Sequence, residues 1–178
     1  MVKISKAGSA DLRELQQIGI DSYLPHYAHL WKENNADWYL NKCFGDEFLA
    51  KEITDANVEY YIISAEEKNI GILKLVLQKT LPDSDIENAL YLEKLYFIKE
   101  WTGKGVGREL MNFTFERAKE LNRDCVWLVA MDTADKPVAA YKRAGFVVHS
   151  RSQIDFELMK DEFRGTFLMK KCFEANKN

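Results

Sequence analysis

The chain has 178 residues, 47% of them hydrophobic, enough for the core of one domain spanning residues 1–178. Twenty-five Lys and Arg against 28 Asp and Glu leave a net charge of -3, which excludes the strongly basic face that holds nucleic acid. No apolar run approaches the ~18 residues of a membrane span, and the opening stretch MVKISKAGSADLREL lacks the apolar centre of a signal peptide. Cys43, Cys125 and Cys172 lie far apart, without metal-ligand spacing. They read as free thiols in a reducing compartment, so a cytoplasmic protein with no membrane partner is expected.

In chain order, VKISKA alternates as a first strand does. Ser9 and Asp11 look like the cap and first-turn acid of a helix over DLRELQQIGIDSYL, which Pro25 interrupts. The aromatic and charged stretch from His26 to Ile53 predicts two or three short helices. VEYYIISAEEKNIGILKLVLQ is a hairpin with its turn at Glu67, Lys68 and Asn69. LPDSDIEN is a polar loop and ALYLEKLYFI a further strand. WTGKGVGREL then opens a helix over roughly Val106 to Asn122. CVWLVAM is a strand, ADKPVAAYKRAG a short helix closed by Gly145, and FVVHSRS and GTFLMKKCF are the last two strands. The terminal EANKN is polar and expected to fray. The order is that of a mixed α/β domain.

Gly103, Gly105 and Gly107 stand two apart between a strand and a helix start. Unpaired N–H groups and the positive end of the helix dipole converge there, and glycine lets an anion come close. Lys104 and Arg108 add positive charge. A Walker loop would need Ser or Thr after Lys104, and a dinucleotide fingerprint would need glycine where Arg108 stands.

The segment Thr102-Gly103-Lys104-Gly105-Val106-Gly107 resembles the [QR]-x-x-G-x-[GA] loop of the GNAT superfamily of acyl-CoA-dependent N-acetyltransferases. Two more segments agree with that family in order: YLEKLYF as its fourth strand, and AAYKRAGF, similar to its FYxxxGF signature. The likeness runs from about Val2 to Lys171, and the spacing from Glu93 through the loop to Tyr141 is most like the spermidine/spermine branch. It implies an α/β fold with a mixed, mostly antiparallel central sheet flanked by helices and splayed at the fourth strand. It also implies acetyl-CoA as co-substrate, with no metal. The loop from Thr102 to Arg108 would cradle the pyrophosphate, and the main chain of Leu95, Tyr96 and Phe97 would hold the acetyl carbonyl and pantetheine arm. Two positions depart from the pattern: Thr102 stands for Gln or Arg, and Ala134 for an asparagine. Asp135 beside Ala134 reads as a helix cap, and Pro137 suits a first turn.

An amine with an ordinary pKa of about 10.4 costs roughly 4–5 kcal/mol to deprotonate at neutral pH, so a base is useful. Glu93 is the candidate, its apolar neighbours Leu92, Leu95 and Phe97 raising its pKa. The alternative is a strand glutamate paired with Lys94 or another cation. A backbone N–H near Leu95 to Phe97 would stabilise the oxyanion. Tyr141 would protonate the leaving thiolate; the alternative is a core tyrosine beside Phe146. Cys125 reads as a packing residue. His26 and His29 lack a third metal ligand, and His149 reads as a strand or surface residue. In the family the resemblance names, helices like those over Asp21 to Ile53 form one wall of the acceptor site, and acids there could attract a cationic amine; here the aromatics Tyr23, Tyr27, Trp31, Trp38, Tyr39 and Phe44 read rather as core, and Asp21, Asp37, Asp46 and Glu47 as solvated surface.

The expected activity is acetyl transfer from acetyl-CoA to a small primary amine, with a polyamine leading. An amino acid, a peptide N-terminus or an antibiotic amine are alternatives, as is a non-catalytic acyl-CoA-binding module. A homodimer is compatible with the family.

Overall fold

A computed structural model describes residues 2–173, so the expected fraying of EANKN lies outside the described residues. Seven strands form one sheet: β1 (Lys3–Lys6), β2 (Val58–Ala65), β3 (Lys68–Val76), β4 (Ala89–Phe97), β5 (Cys125–Met131), β6 (Val147–Gln153) and β7 (Gly165–Cys172). Their order is β1-β2-β3-β4-β5-β7-β6. Every neighbouring pair is antiparallel except β4 and β5. The helices are α1 (Leu12–Tyr27), α2 (Asp37–Phe44), α3 (Asp46–Glu52), α4 (Val106–Glu120) and α5 (Asp135–Arg143).

Both faces of the sheet are covered, which is why VEYYIISA is apolar at nearly every position instead of alternating. Tyr61 and Ile63 share a core with Leu73, Leu75 and the buried face of α4 at Val106, Leu110, Met111 and Phe115. Tyr60, Ile62 and Ile72 pack on the opposite face with Leu15, Ile18, Leu40, Phe44 and Leu49 from α1, α2 and α3. Gly19 lets α1 and α2 touch, because a Cβ there would come within 2.5 Å of the Phe44 ring. Glu59, 3% exposed, ties this framework together. It accepts two bonds from Arg117 of α4 at 2.9 and 2.8 Å and one from Lys6 of β1 at 2.7 Å. Burial opposes its charge, but these donors prevail and bring its pKa down to about 2.

Several local expectations are corrected. Pro25 does not end α1, which runs to Tyr27. Pro25 falls in the last turn, where its missing N–H costs a single ladder bond. Ser9 lies in a short 3-10 turn with no side-chain cap, and Asp11 instead accepts the N–H of Gly8 at 2.8 Å. The hairpin turns earlier than expected, on Glu66 and Glu67, with φ of 50° and 63°. The N-cap of α5 is Ala134, without a side-chain bond, so Asp135 is a first-turn acid and not the cap.

The cysteine reading also changes. Cys125 and Cys172 face each other across the β5–β7 pair and form a disulfide, leaving Cys43 as the free, buried thiol. A sequence separation of 47 residues hides what the sheet register brings together. Two of the three thiols are thus paired and give no ground for expecting a reducing compartment. Thiol counting in denaturant is expected to give one thiol before reduction and three after it; three before reduction would contradict the pairing. No helix is long and apolar enough to cross a membrane among the described residues.

Candidate active site

The parallel contact between β4 and β5 lasts only from Ala89↔Cys125 to Tyr91↔Trp127. Beyond it the strands part, while β4 stays paired with β3 and β5 with β7. Ile98 N–H donates to Ile70 O, so strand alternation turns Tyr96 toward Ile72 on β3. The same alternation leaves the main-chain groups of Leu95 and Phe97 on the open edge. This corrects the expectation for Tyr96, whose backbone belongs to the sheet. Phe97 O accepts from His26 Nε2 at 3.1 Å.

The opening widens into a cavity of about 520 Å³ walled by β4, β5, α1, α2 and the start of α5. Glu93, Leu95, Tyr96 and Tyr141 line it, although Glu93 and Tyr141 are 48 residues apart. Phe97 and the 102–108 loop stand outside it. The helices' aromatics, read from sequence as core, serve both purposes: Tyr23, Tyr27, Trp31 and Tyr39 are packed and line the cavity.

Glu93 occupies a β-bulge. Lys74 faces Lys94 while Leu75 faces Leu92, so Glu93 is an extra residue in β4. A bulge places two consecutive side chains on one face. That explains why Lys94 reaches the neighbouring Glu93 at 2.6 Å, which regular alternation forbids. Lys74 of β3 meets the same Oε1 at 2.6 Å and also binds Glu52 of α3. Lys74 and Lys94 are 1% and 4% exposed.

The expected upward pKa shift of Glu93 is therefore overturned. Burial does push it up, but Lys94 and Lys74 outweigh burial, and the net shift is downward. Burial likewise opposes the charge of Lys94, and Glu93 reverses that, raising its pKa. The cation pairing that stood as the alternative for Glu93 is present. The missed signal was Lys74, a lysine inside the apolar run GILKLVL. Glu93 Oε2 has no protein partner among the described residues.

Tyr141 sits half-buried on α5, its ring edge-on to Phe146 at 5.9 Å. Burial, with a smaller contribution from Tyr27, pushes its phenol well above 10.0. It therefore stays protonated through the neutral range.

The glycine loop sits at the head of α4. Gly103 and Gly105 have φ of 77° and 87°, and a Cβ at either would meet nothing within 4 Å. Backbone conformation, not crowding, demands glycine there. Gly105 caps α4 without a side-chain bond, and the N–H groups of residues 103–107 find no backbone acceptor among the described residues outside the helix ladder. Donors in this state suit a phosphate, so the residues present fit coenzyme A. Val106 is 3% exposed and can contribute only main chain, whereas Arg108 is exposed. Lys104 lies over the Trp101 ring at 4.6 Å, and the Thr102 hydroxyl donates to Lys99 O at 2.7 Å. A Cβ at Gly107 would meet the Phe97 ring at 3.8 Å, an ordinary contact distance. Gly105→Ala is expected to raise the KM for acetyl-CoA severalfold, the left-handed backbone costing about 1–2 kcal/mol. Initial rates against acetyl-CoA check this.

His26, His29 and His149 do not converge. His29 packs edge-on to Phe163, and His149 Nε2 donates to Pro82 O at 3.2 Å.

A splayed mixed sheet, a cap-free helix start at its opening and a phenol in the cleft define an acyl-CoA-dependent transferase fold. The model described as "Acetyltransferase (GNAT) family" matches residues 16–146. The chain belongs to that family, and its class is acetyl-CoA-dependent N-acetyltransferase with acetyl-CoA as co-substrate. It is 23% identical over 167 residues to an uncharacterized N-acetyltransferase in the pepI 3' region of Lactobacillus delbrueckii subsp. lactis, covering 89% of this chain and 96% of that one. The PaiA N-acetyltransferase of Thermoplasma acidophilum, solved in complex with coenzyme A, superposes with a TM-score of 0.76 at 20% identity, covering 97% and 99% of the two chains. A Vibrio cholerae SpeG spermidine N-acetyltransferase, chimeric with hSSAT over K23-Q34, gives 0.69 at 20%, covering 96% and 95%.

Proposed function

We propose that this single domain moves the acetyl group of acetyl-CoA to a small primary amine in one direct step, with Tyr141 as proton donor and Glu93 as the group that receives the amine. The observation that carries this is one cavity lined by both Glu93 and Tyr141, where β4 and β5 part. When bound, acetyl-CoA supplies the thioester carbon under attack and the thiolate that leaves. The N–H groups of residues 103–107, with Lys104 and Arg108, hold its phosphates. Leu95 and Phe97 turn main-chain donors and acceptors to the open edge, where the pantetheine arm would lie.

Glu93 is a poor base because its pKa is depressed. As a permanent carboxylate it draws the ammonium in through Oε2 and orients the water that removes the proton. Tyr141, kept protonated by burial, gives its hydroxyl proton to the departing sulfur.

The acceptor is the finer question. Likeness to spermidine N-acetyltransferases supports a polyamine. The cavity weighs against it, since Glu93 is its one carboxylate among the described residues and already carries two lysines. The test is release of coenzyme A thiol from acetyl-CoA across spermidine, spermine, amino acids and other primary amines. Turnover with one of them is expected. Acetyl-CoA binding with no amine consumed over the whole panel would defeat the proposal.

A further inference from the structure

We infer that the acceptor carries an anionic end: a primary amine on an aromatic or long apolar body with a carboxylate at the far end, received by Lys42. The inference rests on the acetyl-transfer reading above and narrows its substrate. The charged groups lining the cavity are Lys42, Lys79, Lys94 and Glu93. Glu93 and Lys94 belong to a closed network with Lys74 and Glu52, two carboxylates against two ammoniums, which sums to zero. Lys42 and Lys79 are left over, and neither has a carboxylate within ion-pair distance among the described residues.

Lys42 is the better placed of the two for an acceptor. It projects from α2, the helix that carries Trp38 and Tyr39, and is itself exposed at the cavity's edge. Its Nζ stands 5.0 Å from the Trp38 ring centre and 4.7 Å from that of Phe156. Rings attract an ammonium only partly and cannot satisfy its donors. Beside it, Trp31 stacks on Tyr39 at 4.9 Å and on Phe156 at 6.2 Å, forming a flat apolar wall. A flat or elongated body fits that wall, the amine end meets Glu93, and the negative end meets Lys42. A polyamine would instead bring a second ammonium toward lysines with no carboxylate to receive it.

The test compares para-(aminomethyl)benzoate with its neutral twin para-methylbenzylamine and with spermidine, using the full chain. Wild type is expected to show a kcat/KM roughly tenfold higher for the carboxylate, the factor that ~1.4 kcal/mol of charge contact gives. Lys42→Met should equalise the pair without moving the KM for acetyl-CoA. Lys42→Glu should turn the preference toward para-xylylenediamine. Equal rates for the twins in wild type, spermidine outrunning both, or a ratio untouched by Lys42→Met would overturn the inference. Calorimetric binding of the twins, with coenzyme A present, separates the two readings. Discrimination in binding with no amine acetylated leaves Lys42's role standing and defeats acetyl transfer, whereas turnover without discrimination does the reverse.

Discussion

Tyr141→Phe is expected to lower kcat about a hundredfold and leave the KM values for amine and acetyl-CoA nearly unchanged. Positioned proton donors contribute roughly 10²–10⁴. A thiol's ordinary pKa is about 8.5, so its thiolate leaves without much help and the lower end applies. The substitution removes one oxygen from a half-buried ring and keeps the contact with Phe146, so folding should survive. The pH profile carries the sharper test. Burial pushes the phenol above 10.0, so it stays protonated while the amine, at about 10.4 unperturbed, gradually loses its proton. The rate should climb with pH and show no alkaline decline below pH 10. A decline between pH 8 and 9 that Tyr141→Phe abolishes would contradict the shift, and an unchanged kcat would remove Tyr141 from the chemistry.

Lys74→Met should cost about 3 kcal/mol of stability. Deleting one partner of a buried ion pair typically costs 3–5 kcal/mol, and the partial exposure of Glu52 and Glu93, 18% and 23%, favours the lower figure. For a chain of this size that is roughly a 10 °C fall in melting temperature. The sign with pH follows from Glu93. Its folded pKa lies below the ordinary 4.5, so its ion pairs stabilise the fold above that value and cease to do so as pH falls through the lower folded one. Wild type therefore loses this contribution on acidification. The variant has less of it to lose, so the gap between them should narrow below pH 4.5. Thermal melts of both proteins across pH 3 to 8 would read this; a gap that stays constant or widens in acid would refute the network as described.

These two cases mark the limits of what the sequence discloses. The glycine loop was legible as a loop at a helix start because its cause is local: glycines at positive φ, then an uncapped helix start, all within six residues. The motif drew attention to Tyr141, which lines the cavity, and alternation and composition disclosed the hairpin and the last two strands. The charge state of Glu93 was not legible, because it depends on Lys74, nineteen residues away on another strand, and on a register shift that no residue type announces. The Cys125–Cys172 pair was hidden for the same reason. The aromatics of α1 and α2 were read as core, which is half of their role. Helical spacing reveals that a face is buried, but not that part of the space against it is left open.

The bulge in β4 carries a consequence for how this enzyme can change over generations. A side chain can be swapped while the strand keeps its count of residues, and the opening between β4 and β5 persists. Losing the single codon for Glu93 would make Leu92 and Lys94 neighbours on the opposite faces they already occupy, because Lys74↔Lys94 and Leu75↔Leu92 are already consecutive pairs. The ladder with β3 would close up, and the loss would be the carboxylate and the second side chain that the bulge puts on the cavity face. The extra residue is thus held by what its side chain does in the cavity, not by the pairing of the sheet. Lineages that keep a carboxylate for the amine should keep the extra residue, and those that lose it can shorten β4 by one without disturbing the layers on either side.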